Sequence, residues 1–214
     1  KDNAIYIESS LDTYEGPGLK KISSEEFKIS SKLFLLYKEE RTSVIKPLAI
    51  DSQEGTGSMG DDTALAVMSK MHRQIYDYFR QQFAQVTNPP IDSLRESSVM
   101  SLETCFGPEL NIFEESSEHA KRLVISSPVL SHKKLQSILI NPYFKCDEIK
   151  LAYKKDDSLR GALKLLQKKA VNSIKEGNTI IHLDESLPDK NSIPINSLLA
   201  VGCVHQKLVE LGLR

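Results

Sequence analysis

The last third of the chain constrains the fold most, because its apolar periodicity switches between two and 3.6 residues. Glu148 to Tyr153 alternates polar with apolar, and from Leu159 to Ile174 the residues Leu159, Leu163, Leu166, Ala170 and Ile174 fall on one helical face that Gly177 closes. Thr179 to Leu183 reads as a buried strand, and after a proline-containing loop Ser197 to Leu211 reads as a second helix closed by Gly212. Strand, helix, strand, helix implies parallel pairing through right-handed crossovers, since a parallel neighbour can be reached only by a long connection. The expected fold class is therefore α/β: a short parallel βα series, of the kind a partial TIM-barrel-like domain would contain, preceded by additional helices and an irregular arm. The series ends on a helix at Leu213-Arg214, where a next strand would begin, and this reads as a boundary within a longer polypeptide.

Upstream, residues 1 to 30 are rich in Ser, Lys, Glu and Gly and are broken by Gly16-Pro17-Gly18, so they read as an irregular arm before a domain over 31–214. Val44, Ile45, Leu48 and Ile50 lead into a glycine-dense turn from Gln53 to Gly60, which ends in Asp61-Asp62-Thr63, residues suited to capping. Ile75, Tyr78, Phe79, Phe83 and Val86 have helical spacing, and the helix must stop near Thr87-Asn88 because Pro89 and Pro90 disfavour helical geometry before them. Ser93 and Glu96 form a capping-box pattern for a further helix with Ile91, Leu94, Val99 and Leu102 on its apolar face. Leu123 to Leu130 reads as extended, and Ser131 can cap a helix carrying Leu135, Ile138 and Leu139.

Composition removes several function classes. The 28 basic and 29 acidic residues give a formal net charge of -1, so no overall basic field exists to hold a nucleic acid. Ile195 to Val204, among the longest apolar stretches, falls far short of the roughly 20 residues of a membrane helix. Lys1-Asp2-Asn3 opens without a basic segment leading into an apolar run, and the 3 cysteines, Cys105, Cys146 and Cys203, include no CxxC pair. These features predict a cytoplasmic protein without membrane association, disulfides or zinc, whose thiols act as small buried hydrophobes.

Candidate sites for small ligands are weak. Gly55-Thr56-Gly57-Ser58-Met59-Gly60 matches GxGxxG, but no strand precedes it and Asp61 and Asp62 would repel a phosphate, so it reads as a structural turn. The 5 histidines show no HxxxH or HExxH spacing, and His182 and His205 read as packed and hydrogen-bonded. Adjacent carboxylates such as Asp156-Asp157 read as solvated turns, and the Lys133-Lys134, Lys154-Lys155 and Lys168-Lys169 pairs as solvated surface. The span from Tyr76 to Glu96, YDYFRQQFAQVTNPPIDSLRE, is different: it combines four aromatics, two prolines and Gln81, Gln82, Gln85, Thr87 and Asn88, which a loop set against another domain could use, while for any one of these residues a buried structural corner is the expected role.

With Ser58-Met59-Gly60-Asp61-Asp62-Thr63 before it and Val99-Met100-Ser101-Leu102-Glu103-Thr104 after it, this span resembles the central domain of the glutamate synthase large chain. Leu123 to Ser131 and Ser197 to Arg214 resemble later segments of that domain, so the likeness runs from about Ser31 to Arg214. One departure lies at His205-Gln206-Lys207, where the family often carries consecutive histidines, and no role is carried over to that site.

The resemblance implies a division of labour. In this family an N-terminal cysteine releases ammonia from glutamine, and the ammonia passes through a tunnel to an FMN barrel where 2-oxoglutarate is converted to glutamate. The central domain joins the glutaminase and FMN domains and helps wall the tunnel. Met59, Thr87 and Asn88 would then line the tunnel or the interdomain contact, while no catalytic, cofactor or metal ligand is expected in this segment. FMN and an iron-sulfur cluster would belong to the parent enzyme, and the segment alone would be inactive. The rival expectations are a free-standing binding or interaction module of the same descent, and an independent phosphate-binding barrel enzyme resting on the βα pattern and the glycine loop.

Overall fold

The computed structural model describes residues 15–19, 21–53, 55, 67–70, 72–79, 82, 90–108, 110–186 and 191–214. The chain divides into two compact units, Lys20–Asp92 and the remainder, and among the described residues all strands lie within Ser93–Arg214.

In the larger unit, β3 (Cys146–Lys150) and β5 (Ile180–Asp184) pair in parallel, connected through α5 (Leu159–Lys175). The expected parallel βα series is thus present as one βαβ unit. The other pairs are antiparallel: β1 (Thr104–Phe106) with β2 (Leu123–Ile125), and β4 (Ala152–Lys154) with β6 (Ser192–Pro194). Among the described residues the strands form three two-stranded sheets and no barrel. The expected strand from Glu148 to Tyr153 is split at Leu151, whose N–H donates to the Asp184 carbonyl at 2.7 Å and whose carbonyl accepts from Ile195 at 2.8 Å. Those two bonds hand the strand from one partner to another. Strand β6 lies in what the sequence suggested was only loop; Pro194, at its end, sits where a strand tolerates a missing donor.

Alternation along β3 and β5 decides what each sheet face meets. Ile149, Ile181 and Leu183 point into the main core, where α5 and α6 (Ser197–Glu210) supply Leu166, Ala170, Ala200, Val204 and Leu208. Ala170 and Ala200 are both fully buried, and their small side chains let the two helices pack closely. The Gln167 amide donates to the Cys203 carbonyl at 3.2 Å across the same contact. On the opposite face Cys146 and Ile180 meet a second core of Leu123, Ile125, Ile138 and Phe144, formed by β2, α4 (His132–Leu139) and the turn after it. Gly107 lies beside this core at φ +129°, where a Cβ would come within 3.0 Å of the Lys121 carbonyl and 3.1 Å of the Phe144 ring, so both conformation and space require glycine.

The helix ends follow their sequence signals. Ser131 and Ser158 accept from Lys134 and Gly161, at 3.2 and 3.1 Å, and start α4 and α5 as caps. Gly177, at φ +86°, ends α5; the amides of Gly177 and Asn178 return to the carbonyls of Ile174 and Ser173 at 2.9 and 3.1 Å.

Several expectations need correction. The stretch read as an irregular arm contains the start of α1 (Ser24–Leu33), because Ser23 and Glu26 form a reciprocal capping box. The apolar set at Val44 to Ile50, to which its spacing assigned no element, is helical: α2 (Lys38–Glu40) runs on into π-helical stretches Arg41–Ile45 and Pro47–Asp51, ended by left-handed Ser52. The helix expected from Ile75 is a single 3-10 turn, Ile75–Tyr78, with Phe79 already extended; Phe83 and Val86 lie outside the described residues. Helix α3 (Ser93–Val99) forms, but Ser93 is its first residue rather than its cap and its apolar face is not buried, Leu94 being 90% exposed. The extended reading of Leu123 to Leu130 holds only for Leu123–Ile125. Cys105, expected to be buried, is exposed on β1 because the second core lies on the other side of that strand.

Candidate functional site

The parallel register places Glu148 opposite His182 and Lys150 opposite Asp184. All four side chains belong to the sheet face that carries Cys146 and Ile180, two and four residues further along, past the edge of the second core. They connect into one ladder at the C-terminal ends of both strands. Lys150 Nζ is bonded to Asp184 Oδ2, lies 3.0 Å from Glu148 Oε1, and donates to Ser186 Oγ at 2.9 Å. His182 Nδ1 and Glu148 Oε2 are 3.2 Å apart, and Asp184 also accepts from the Ser186 amide at 2.9 Å and hydroxyl at 2.6 Å.

This environment fixes the charges. Burial pushes the Asp184 carboxyl upward, but the hydrogen bonds from Lys150 and from the Ser186 hydroxyl and amide, with the Lys150 charge, outweigh it and hold the group at about 2. The bond to Asp184, then that to Glu148, raises the Lys150 ammonium above its ordinary value, against partial desolvation. Neither group changes charge near neutrality, so Lys150 and Asp184 lock the strand ends rather than shuttle protons. Sequence reasoning treated His182 as packed and hydrogen-bonded, and its bond to Glu148 agrees. The ladder as a whole was missed, although Glu148-x-Lys150 and His182-x-Asp184 on two predicted parallel strands were the available signal.

An open groove of about 450 Å³ runs between α5 and β3–β4. Ile149, Leu166 and Ile195 form its floor, with Lys150, Lys154 and Lys169 among its walls.

Met59, Thr87 and Asn88 lie outside the described residues, as do Asp61-Asp62-Thr63 and most of the glycine-rich turn. The cysteines stand on three separate elements, β1, β3 and α6, and burial raises the thiols of Cys146 and Cys203. No three of the described His, Cys, Asp and Glu side chains gather where they could hold a metal ion. Among the described residues no helix is long and apolar enough to cross a membrane.

The fold and this site define an α/β domain in which Lys150 pairs with Glu148 and Asp184 across two parallel strands. The chain belongs to the glutamate synthase central domain family, whose model matches residues 30–214. It is similar to the ferredoxin-dependent glutamate synthase of Spinacia oleracea, a chloroplastic protein, at 40% identity over 184 residues, 82% of this chain and 11% of that protein. It is 36% identical over 179 residues to the NADH glutamate synthase of Saccharomyces cerevisiae, covering 80% of this chain and 8% of that one. Against ferredoxin-dependent glutamate synthase 2 of Synechocystis the identity is 41% over 182 residues, 82% of this chain and 12% of the relative. The chain thus spans about a tenth of the length of the curated relatives it matches, and its likeness extends to relatives named for different electron donors.

Proposed function

We propose that this chain is the connecting domain of a cytoplasmic glutamate synthase large chain, set between a glutaminase domain and an FMN domain of the same polypeptide. The whole enzyme would convert glutamine and 2-oxoglutarate into two glutamates, with FMN and an iron-sulfur cluster held outside this segment. The observation that carries the reading is the family match across 30–214 in a chain that covers only 8 to 12% of its relatives' lengths. On this reading the segment does no chemistry alone.

Met59, Thr87 and Asn88 would contribute to the wall of the ammonia tunnel. Ammonia must stay neutral in transit, and an ionised wall would trap it as ammonium, whereas a thioether, a hydroxyl and an amide are uncharged at any physiological pH. Pro89 and Pro90 restrict the backbone beside Thr87 and Asn88, which suits a fixed constriction. The test is Thr87→Ala in the full-length enzyme, comparing glutamine hydrolysis with glutamate synthesis. A changed ratio of the two turnovers is expected; an unchanged ratio would overturn the tunnel role. The size of the native polypeptide on an immunoblot tests the connector role itself, because a band near 24.0 kDa would leave nothing for the chain to connect.

A further inference from the structure

Strand β5 is paired on one side. The Ile180 amide donates to the Lys145 carbonyl at 3.3 Å and the Asp184 carbonyl accepts from the Leu151 amide at 2.7 Å, so the backbone groups of Ile180, His182 and Asp184 face β3. Those of Ile181 and Leu183 then face the opposite edge, where no strand pairs among the described residues. Folded proteins blunt a lasting edge with lysine, proline or a bulge, whereas β5 reads Ile180-Ile181-His182-Leu183-Asp184 in unbroken register.

Burial is lopsided in the same direction. Ile149 of β3 and Leu151 just after it are 5 and 0% exposed, while Ile181 and Leu183, which join the same core from β5, are only half-buried. Among the described residues the main core is therefore closed around β3 and open beyond β5.

Helix α6 shows what reaches that opening. Helix α5 lies against β3 and β4, and α6 lies against α5 and β5, so the helix layer steps in the direction from β3 to β5. Helix α6 starts beside the end of β5, where the Ser197 amide donates to Glu185 Oε1 at 3.2 Å. With Ala200, Val204 and Leu208 all in the main core, its 14 residues carry the chain back about 21 Å, against about 17 Å for the 5 residues of β5. Gly212, at φ +63°, then turns the backbone, the Leu213 amide donates to the Leu208 carbonyl at 2.9 Å, and Leu213 packs against the same core. The backbone is thus delivered to the N-terminal end of β5, the place from which a parallel neighbour must start.

Resting on the reading of the chain as one domain of a longer polypeptide, we propose that the residues directly after Arg214 form a strand that pairs in parallel with the open edge of β5. The connection through α6 repeats the step that α5 makes between β3 and β5. The new strand bonds to the backbone groups of Ile181 and Leu183, and its core-facing side chains are apolar because they close the main core beneath α6.

The test uses the full-length polypeptide, its size established first, so that a negative result counts against the strand and not against the connecting role. Residue-resolved hydrogen exchange should find the amides of Ile181 and Leu183 protected to within tenfold of His182, whose amide faces β3. Exchange at Ile181 and Leu183 more than tenfold faster than at His182 would show an unpaired edge and overturn the proposal. The occupant is identified by replacing the exposed Thr179, at the start of β5, with the photo-crosslinker benzoylphenylalanine. An adduct is expected within about ten residues after Arg214, the reach of a short connection and one strand. An adduct with any other segment or with β5 of a second copy, or no adduct at all, would overturn the assignment.

Discussion

Replacing Asp184 by asparagine keeps the size of the side chain and an oxygen able to accept from the Ser186 amide, but removes the charge that faces Lys150. The carboxyl lies at about 2 in the folded protein against 3.8 for an unperturbed group. At about 1.4 kcal/mol per unit this corresponds to about 2 kcal/mol of stabilisation before screening. The Lys150 side chain is 45% exposed and that of Asp184 18%, and solvent screening on the lysine side brings the expected loss at neutral pH to about 1 kcal/mol. The pH dependence gives the sharper signature. A carboxyl whose folded value is depressed contributes its stability above its unfolded value and loses it as pH falls through the folded one. The difference between wild type and Asp184→Asn should therefore be constant from neutrality down to about pH 5, then shrink through about pH 2 and vanish only near pH 1. Urea denaturation followed by far-UV circular dichroism, which reports on α5 and α6, measures both parts. A stability difference independent of pH over that window would refute the ion-pair account and assign the effect to packing.

Three further outcomes are expected. Leu166 is 3% exposed in the main core, so Leu166→Ala should cost about 3 kcal/mol in the same urea assay, and a loss under about 1 kcal/mol would mean the core can collapse around it. Gly177→Ala should cost about 1 kcal/mol from backbone conformation alone, since its added Cβ meets nothing within 4 Å; an unchanged midpoint would show that α5 has a different ending in solution. Cys105 is exposed, whereas burial raises the thiols of Cys146 and Cys203, so Cys105 should react at least tenfold faster with a thiol reagent at about pH 8, as peptide mass spectrometry would resolve.

What was legible in the sequence depended on whether local signals also decided packing. Helices α5 and α6, with Ala170, Ala200, Val204 and Leu208 buried, were visible because helical spacing and core contact coincide there. Ser131 as a cap and Gly177 and Gly212 as terminators were legible because each acts within one turn. The antiparallel β4–β6 pair was not, because three-residue strands carry too few alternations and their pairing spans Ala152 to Pro194. Ile75 to Phe79 misled for a different reason: helical spacing of aromatics signals burial only where a core receives them, and Tyr78 and Phe79 are 74 and 57% exposed. The charge ladder depended on register, which no single strand reveals.

The distribution of burial bears on the proposed connecting role. Every buried hydrophobic residue named in the two cores lies between Leu123 and Leu208. In the unit Lys20–Asp92, by contrast, no described residue is buried, although Phe27, Leu33, Phe34, Leu48, Ile50 and Phe79 are all apolar and exposed. Fixing backbone and side chains costs about 1–2 kcal/mol per residue, and apolar burial is the main term that can offset it. A segment with this many apolar side chains is not composed like a disordered linker, yet its described residues show no core of their own. The two facts are reconciled if its apolar surface is covered by residues outside those described, in this unit or elsewhere in the polypeptide. A domain whose function is to be packed between others should have this composition, with a core where it must hold its own shape and uncovered apolar residues where its neighbours complete it.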